Sequence, residues 1–131
     1  MNNKIDKILV EISAGELIDK ITILEIKNEK ILEKNKLIEI NKELNSLLEN
    51  YNKHLNQTNE IKSLRNELKE INLKLWDIED SKRAAEKNNK FDEHFISLAR
   101  NVYKMNDQRA KIKMKINILV GSNIKEVKSY Y

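Results

Sequence analysis

The chain contains no cysteine and no proline, and only two of its 131 residues are glycine. Without cysteine it can form neither a disulfide nor a thiolate metal site. Proline and glycine are the residues that most often interrupt helices, whereas Leu, Ile, Glu, Lys and Asn dominate here. The composition therefore predicts long helices joined by few tight turns, in one domain that spans residues 1–131.

Long apolar runs are also absent, and neither sign of charge is concentrated. No segment approaches the roughly 20 consecutive apolar residues of a membrane-spanning helix. The first residues lack the apolar segment of a secretory signal peptide, so we expect a cytoplasmic protein. Lys and Arg number 25 against 21 Asp and Glu, and the two signs alternate along the chain. This alternation makes nucleic acid an improbable partner despite the net charge of +4.

Signatures of common enzymes and metal centres are missing as well. His54 and His94 have no Glu-x-x-His or His-x-x-x-His partner, so the sequence predicts no metal and no cofactor. There is no Gly-rich phosphate loop and no Gly-x-Ser-x-Gly elbow. An enzyme built on this chain would work through carboxylate, lysine, tyrosine or electrostatic stabilisation, and the sequence leaves open whether it is one.

The apolar spacing predicts an all-α fold, an antiparallel bundle of three to four long helices with a short extended N-terminal arm. Residues 4–12 are apolar and partly β-branched, which suits a short strand or an extended arm packed on the bundle. Ser13 and Glu16 form an S-x-x-E capping box, in which each side chain bonds the amide of the other residue. The helix that begins there is expected to cover residues 14–32, and the polar residues 33–36 allow a bend.

Two further apolar stripes follow. Leucines at helical spacing mark a second helix within residues 37–55. Across residues 61–78 the apolar positions alternate three and four apart, which is the heptad spacing that lays one seam against a partner helix. Thr58 or Asn59 is expected to cap this third helix, because both side chains can accept a hydrogen bond from a nearby amide.

The third helix is expected to end near Asn88 and Asn89, since asparagine tolerates the left-handed backbone conformation of a helix end. A fourth helix then runs from about Phe91 to Gly121 with the same apolar spacing. The tail that follows, residues 126–131, is expected either to pack on the bundle or to fray.

One arginine interrupts the apolar seam of the fourth helix. Four residues beyond Met105 the seam position is Arg109, where Leu or Ile would be expected. Burying an unpaired cation costs several kcal/mol. Arg109 must therefore meet a carboxylate, lie at a solvated seam, or face a pocket that receives an anion, and a structural ion pair explains it as well as a pocket does.

Polar side chains gather on three of the predicted helices. On the third helix Trp76, Asp80 and Arg83 share one face with Glu79 beside them, although capping the core is the simpler role for the indole. The first helix carries Glu16, Asp19, Lys20 and Lys27, and the fourth carries Arg100, Tyr103, Asn106, Asp107 and Lys113. If these helices surround one cavity, their charges form either a locked network or an anion pocket.

Several distinct motifs are distributed over most of the chain. They are residues 15–27 (GELIDKITILEIK), 75–80 (LWDIED) with Arg83, 91–92 with Phe95, 98–100, 102–103, 106–107 with Arg109, and 127–130. This set resembles a family of short bacterial proteins, a domain of unknown function whose members often lie near glycosyltransferase and surface-polysaccharide genes. The resemblance implies a link to surface-polysaccharide biosynthesis by association.

The resemblance also implies that the unusual polar residues belong to the family pattern. They form the candidate ligand-binding set of Asp19, Lys20, Lys27, Trp76, Glu79, Asp80, Arg83, Arg100, Tyr103, Asn106, Asp107 and Arg109. The first hypothesis is that they bind an anionic small molecule, a nucleotide sugar or sugar phosphate, between helices. The alternative is a coiled-coil-like homodimer or other homo-oligomer that acts as a scaffold without a ligand. A minor alternative is an enzyme similar to the helical chorismate mutases, although their arginine-rich first helix is missing here.

Overall fold

The computed structural model describes residues 4–129. They fold as an all-α bundle of four helices, α1 (Ala14–Lys30), α2 (Lys34–His54), α3 (Asn59–Lys87) and α4 (Glu93–Val120), and contain no strand. The predicted all-α bundle is confirmed. None of these helices is long and apolar enough to cross a membrane within the described part of the chain.

Local capping residues set most of the helix ends, and the sequence predicts those of α1 and α3 but not Asp92 of α4. Ser13, Thr58 and Asp92 each accept a hydrogen bond from the amide three residues later, at 3.1 to 3.2 Å. Asn89 (φ 53°) and Gly121 (φ 67°) take the left-handed conformation after α3 and α4. These turns depend on only a few neighbouring residues, which is why the sequence predicts them.

Two predicted details at the ends of α1 are wrong. The helix ends at Lys30 and the backbone of Ile31 is extended, so the chain turns there before α2 begins. The Ser13 half of the capping box forms, but the Glu16 carboxylate accepts from Lys113 Nζ of α4 at 2.7 Å. A lysine ammonium bonds a carboxylate more strongly than a neutral amide does, which accounts for the change of partner.

The core surrounds α1, which packs against each of the other three helices. Ile18 and Ile21 are completely buried, and Leu24 is nearly so. α2 covers one side of α1 with Ile40, Leu44 and Tyr51, so its apolar stripe is an internal face. α3 and α4 complete the core with Ile61, Leu68, Ile71, Ile112 and Ile116.

α1 approaches α4 so closely that only glycine fits at their contact. The amide of Gly15 donates to Asn117 Oδ1 at 2.7 Å. A Cβ atom at Gly15 would lie 2.5 Å from the backbone oxygen of Lys113 and 2.9 Å from Asn117 Oδ1. The absence of a side chain at Gly15 therefore sets the spacing of the two helices.

Two apolar segments are less packed than the sequence predicts. Residues 4–12 form neither helix nor strand, and Ile5, Ile8, Leu9 and Val10 are 73 to 87% exposed, so this arm does not pack on the bundle. Leu119, predicted in the seam of α4, is exposed at the end of that helix. In the tail, residues 130–131 lie outside the described residues.

We expect Gly15→Ala to destabilise the protein by about 1–3 kcal/mol, as overpacking does in a close contact. Alanine favours helix by roughly 1 kcal/mol relative to glycine, so a site without the steric conflict would gain stability. Urea denaturation of Gly15→Ala beside Asn45→Ala, at an exposed position of α2, measures the difference. A Gly15→Ala protein at least as stable as the wild type would contradict the close packing of α1 on α4.

Candidate functional site

A buried ion pair between Asp19 of α1 and Arg109 of α4 lies at the centre of the polar cluster. Asp19 is 0% exposed, whereas Arg109 keeps about a quarter of its side chain in solvent. Arg109 Nε donates to Asp19 Oδ1 at 2.9 Å, and Arg109 Nη2 donates to Oδ2. This bidentate hydrogen bond to Asp19 raises the pKa of the Arg109 guanidinium. Of the three explanations for an arginine in the seam, the carboxylate partner is the one observed.

Neighbouring polar groups complete the surroundings of the Asp19 carboxylate. Asn72 Nδ2 on α3 donates to Asp19 Oδ1 and to Thr22 Oγ1, each at 2.9 Å. The hydroxyl of Thr22 donates in turn to the backbone oxygen of Asp19 at 2.8 Å. Because these groups come from α1, α3 and α4, one buried carboxylate ties three helices together.

A cavity of about 370 Å³ opens beside this ion pair, between α1, α3 and the guanidinium of Arg109. We call it the Trp76 cavity. Its apolar wall consists of Ile23, Ile26, Leu75 and Trp76, and its polar wall consists of Asn72, Glu79, Asp80, Arg83 and Arg109. Five of the twelve predicted site residues thus line one cavity, and Asp19 lies behind Arg109.

The charges of the Trp76 cavity are not equally available to a ligand. Arg109 is neutralised by Asp19, and Glu79 pairs with Lys82 at 3.6 Å. Within residues 4–129, Arg83 forms no ion pair and is exposed. Arg83 is therefore the cation of this cavity that is most free to bind an anion.

A second charge cluster joins α1 and α4 to the C-terminal tail. Lys113 Nζ donates to Glu16 and lies 2.7 Å from Glu126, with Asp19 at 3.9 Å. Burial by itself lowers the pKa of Lys113, but the hydrogen bonds to Glu126 and Glu16 outweigh it, so the pKa is raised. Lysine hydrogen bonds, from Lys113 first and Lys128 second, lower the pKa of Glu126 to about 2. At neutral pH Lys113 and Glu126 are therefore both ionised.

The other predicted site residues lie outside the Trp76 cavity. Lys20 is exposed on α1, and Lys27 lines a separate groove between α1 and α2. Arg100 and Tyr103 are exposed on α4, and Asp107 is half-buried there. Asn106 accepts a hydrogen bond from Arg109 Nη1 at 3.3 Å. The structure therefore does not bring Lys20, Lys27, Arg100, Tyr103 and Asp107 to the centre of the cluster.

Sequence reasoning missed Asn72, Asn117 and Glu126. A signal for Asn117 existed, because Arg109, Lys113 and Asn117 follow one another at intervals of four and form a polar row beside the apolar seam of α4. Asn72 stands four residues before Trp76 on the same face of α3. Glu126 had no such signal, since it lies on an irregular segment whose position depends on the tertiary fold.

No group of three or more His, Asp or Glu residues in the described part of the chain is arranged to hold a metal ion.

Comparison with known protein families places the chain in a described family. A family model described as a family of unknown function (DUF6165) matches residues 8–131. No curated protein matches the chain, and no solved structure matches it. The match covers all four helices, the Trp76 cavity and the tail.

We expect Arg109→Ala to lower the free energy of unfolding by about 3 kcal/mol, because it leaves the buried Asp19 carboxylate without its main partner. The double variant Asp19→Asn/Arg109→Ala should recover a large part of that loss, since it removes the uncompensated charge. Urea denaturation measures both, and Lys36→Ala, which breaks the exposed pair with Glu33, is the control at under about 1 kcal/mol. A double variant no more stable than Arg109→Ala alone would contradict this view of the pair.

Proposed function

The chain belongs to the family of unknown function DUF6165, and from this premise we propose that it is a small helical protein that binds a sugar phosphate or nucleotide sugar in the Trp76 cavity. The proposed setting is surface-polysaccharide biosynthesis, which follows from the family resemblance and not from the cavity. What supports the proposed ligand is the combination of side chains on the cavity wall.

The observation that carries the proposal is that one cavity combines an indole, an unpaired guanidinium and two carboxylates. The C–H face of a sugar ring packs well on an aromatic ring, a role that Trp76 fits. Carboxylates such as Glu79 and Asp80 accept hydrogen bonds from sugar hydroxyls. A guanidinium binds a phosphate through two parallel hydrogen bonds, a role that Arg83 fits.

The size of the cavity limits what it encloses. At about 370 Å³ it is near the lower end of the volumes typical of small-molecule sites. A sugar phosphate suits this volume, whereas the nucleoside part of a nucleotide sugar would extend beyond it. Asn72 and Arg109 line the inner end and are fixed by Asp19, so this part of the wall is pre-organised.

Titration with sugar phosphates should change the fluorescence of Trp76, because this chain has only one tryptophan and it lines the cavity. Arg83→Gln should weaken the binding about tenfold or more, as loss of a charge-assisted hydrogen bond does. Its melting temperature should stay unchanged, since Arg83 is exposed and unpaired within residues 4–129.

Lys62→Gln is the matched control, because it removes one positive charge from an exposed position of the same helix. An equal loss of affinity in both variants would reduce the interaction to general electrostatics. No fluorescence change with any sugar phosphate or nucleotide sugar would contradict the proposed function.

Self-association is a second candidate function, and one observation favours it. The arm of residues 4–12 presents Ile5, Ile8, Leu9 and Val10 almost fully to solvent, which is unusual for a monomer. A second copy of the arm is the occupant we propose, through antiparallel strand pairing, because Ile8, Val10 and Ile12 would lie on one face of an extended strand.

Sedimentation equilibrium should then show a dimer that Ile8→Asp/Val10→Asp converts to monomer. Ile38→Asp is the control, because Ile38 is equally apolar and 63% exposed on α2. A wild-type protein that stays monomeric at high micromolar concentration would rule out this candidate.

A further inference from the structure

A second binding surface lies between α4 and the C-terminal segment of residues 122–129. Two adjoining cavities of about 150 and 180 Å³ share Ala110, Lys113, Glu126 and Lys128 in their walls. We call them together the tail groove. Arg109 lines both the tail groove and the Trp76 cavity, so the two are separated by one guanidinium.

In the tail groove the Glu126 carboxylate is held as a bound anion would be. Its Oε2 lies 2.7 Å from Lys113 Nζ, and its Oε1 lies 2.8 Å from Lys128 Nζ. Lys113 is itself almost buried and is also bound by Glu16. Two ammonium groups, one on each carboxylate oxygen, form a site that a phosphate oxygen would fit equally well.

An unsatisfied donor in the wall of the groove also points to an acceptor from outside. Asn117 is 0% exposed and lines one of the two cavities. Its Oδ1 is fixed by the amide of Gly15, which identifies Nδ2 as the donor atom. Within residues 4–129 this Nδ2 has no hydrogen-bond partner. A buried donor without a partner costs about 1–3 kcal/mol, so an incoming acceptor that it can reach would be favoured.

The segment that carries Glu126 is irregular and mostly exposed. Residues 122–129 contain no helix or strand, and the neighbouring Val127 is 89% exposed. The Asn123 amide donates to Glu11, and Ser122 bonds Ile124, so these contacts hold the start of the segment independently of Glu126. Glu126 can therefore leave its two lysines without disrupting the helices.

We propose that the tail groove is a phosphate subsite and that Glu126 occupies it as an internal competitor, which a phosphoryl group displaces. A phosphoryl group carries more charge and more acceptor oxygens than a carboxylate, so it suits Lys113, Lys128 and Asn117 together. The inference rests on the proposed function: with one phosphoryl group at Arg83 and a second here, the ligand is a sugar that carries two phosphoryl groups.

Isothermal titration calorimetry with inorganic pyrophosphate tests the subsite. Glu126→Gln should bind pyrophosphate about fivefold more tightly than the wild type, which corresponds to the ~1 kcal/mol interaction of unit charges 4 Å apart in water. Glu49→Gln removes one negative charge from an exposed position of α2 and should leave the affinity unchanged. Equal affinities of Glu126→Gln and wild type would overturn the proposal, because a purely structural Glu126 alters stability and not anion binding.

A second variant and a local probe locate the pyrophosphate. Lys128→Gln should weaken its binding several-fold, and the side-chain amide signals of Asn117 in an NMR spectrum should shift during the titration. If pyrophosphate binds without shifting the Asn117 signals, and Lys128→Gln binds it as tightly as the wild type, the anion lies elsewhere and the proposal is overturned.

These outcomes are separate from those of the sugar titration. If sugar phosphates leave Trp76 fluorescence unchanged while pyrophosphate shifts Asn117, the Trp76 cavity proposal fails and the phosphate subsite stands. If sugar phosphates quench Trp76 while pyrophosphate does not reach Asn117, the subsite fails and the proposed function stands.

Discussion

The carboxylate of Asp19 is charged and fully buried, and the arrangement of three helices depends on keeping it satisfied. A buried charge without partners costs several kcal/mol, which is a large share of the stability of a small domain. Arg109 of α4 and Asn72 of α3 supply the hydrogen bonds, and both reach Asp19 only when α1 packs against α3 and α4 together. The ion pair thus selects one packing of the helices among those that apolar faces alone would allow.

The same constraint divides the polar surface into two regions. Arg109, Lys113 and Asn117 form one row on α4, and Gly15 brings α1 against it without a side chain between them. On one side of this row lies the Trp76 cavity, and on the other lies the tail groove. A residue that is needed for the fold therefore also forms a wall of both candidate binding surfaces.

Charge neutralisation decides which cations matter for a ligand. Arg109 is the residue that sequence reasoning singles out, but Asp19 already binds it through two hydrogen bonds. A further anion gains less from a guanidinium that is already paired than from an unpaired one. Arg83, which is more exposed and unpaired within residues 4–129, is the stronger candidate. Lys113 and Lys128 differ again, because their shared partner Glu126 lies on a segment without helix or strand.

The sequence by itself determined the all-α class, most of the seams of α3 and α4, the cap at Ser13, a cap at Thr58 or Asn59, and helix ends near Asn89 and Gly121. These features depend on residues within about one turn of each other. Only the tertiary structure decided that Arg109 meets Asp19, that Glu16 meets Lys113 in place of the Ser13 amide, and that Lys20 and Arg100 stay in solvent. Helical periodicity identifies the face on which a side chain lies. The axial position and rotation of one helix against another then decide which side chains meet. That position follows from the whole core, the close contact at Gly15 and the buried carboxylate, all of which join residues far apart in the chain.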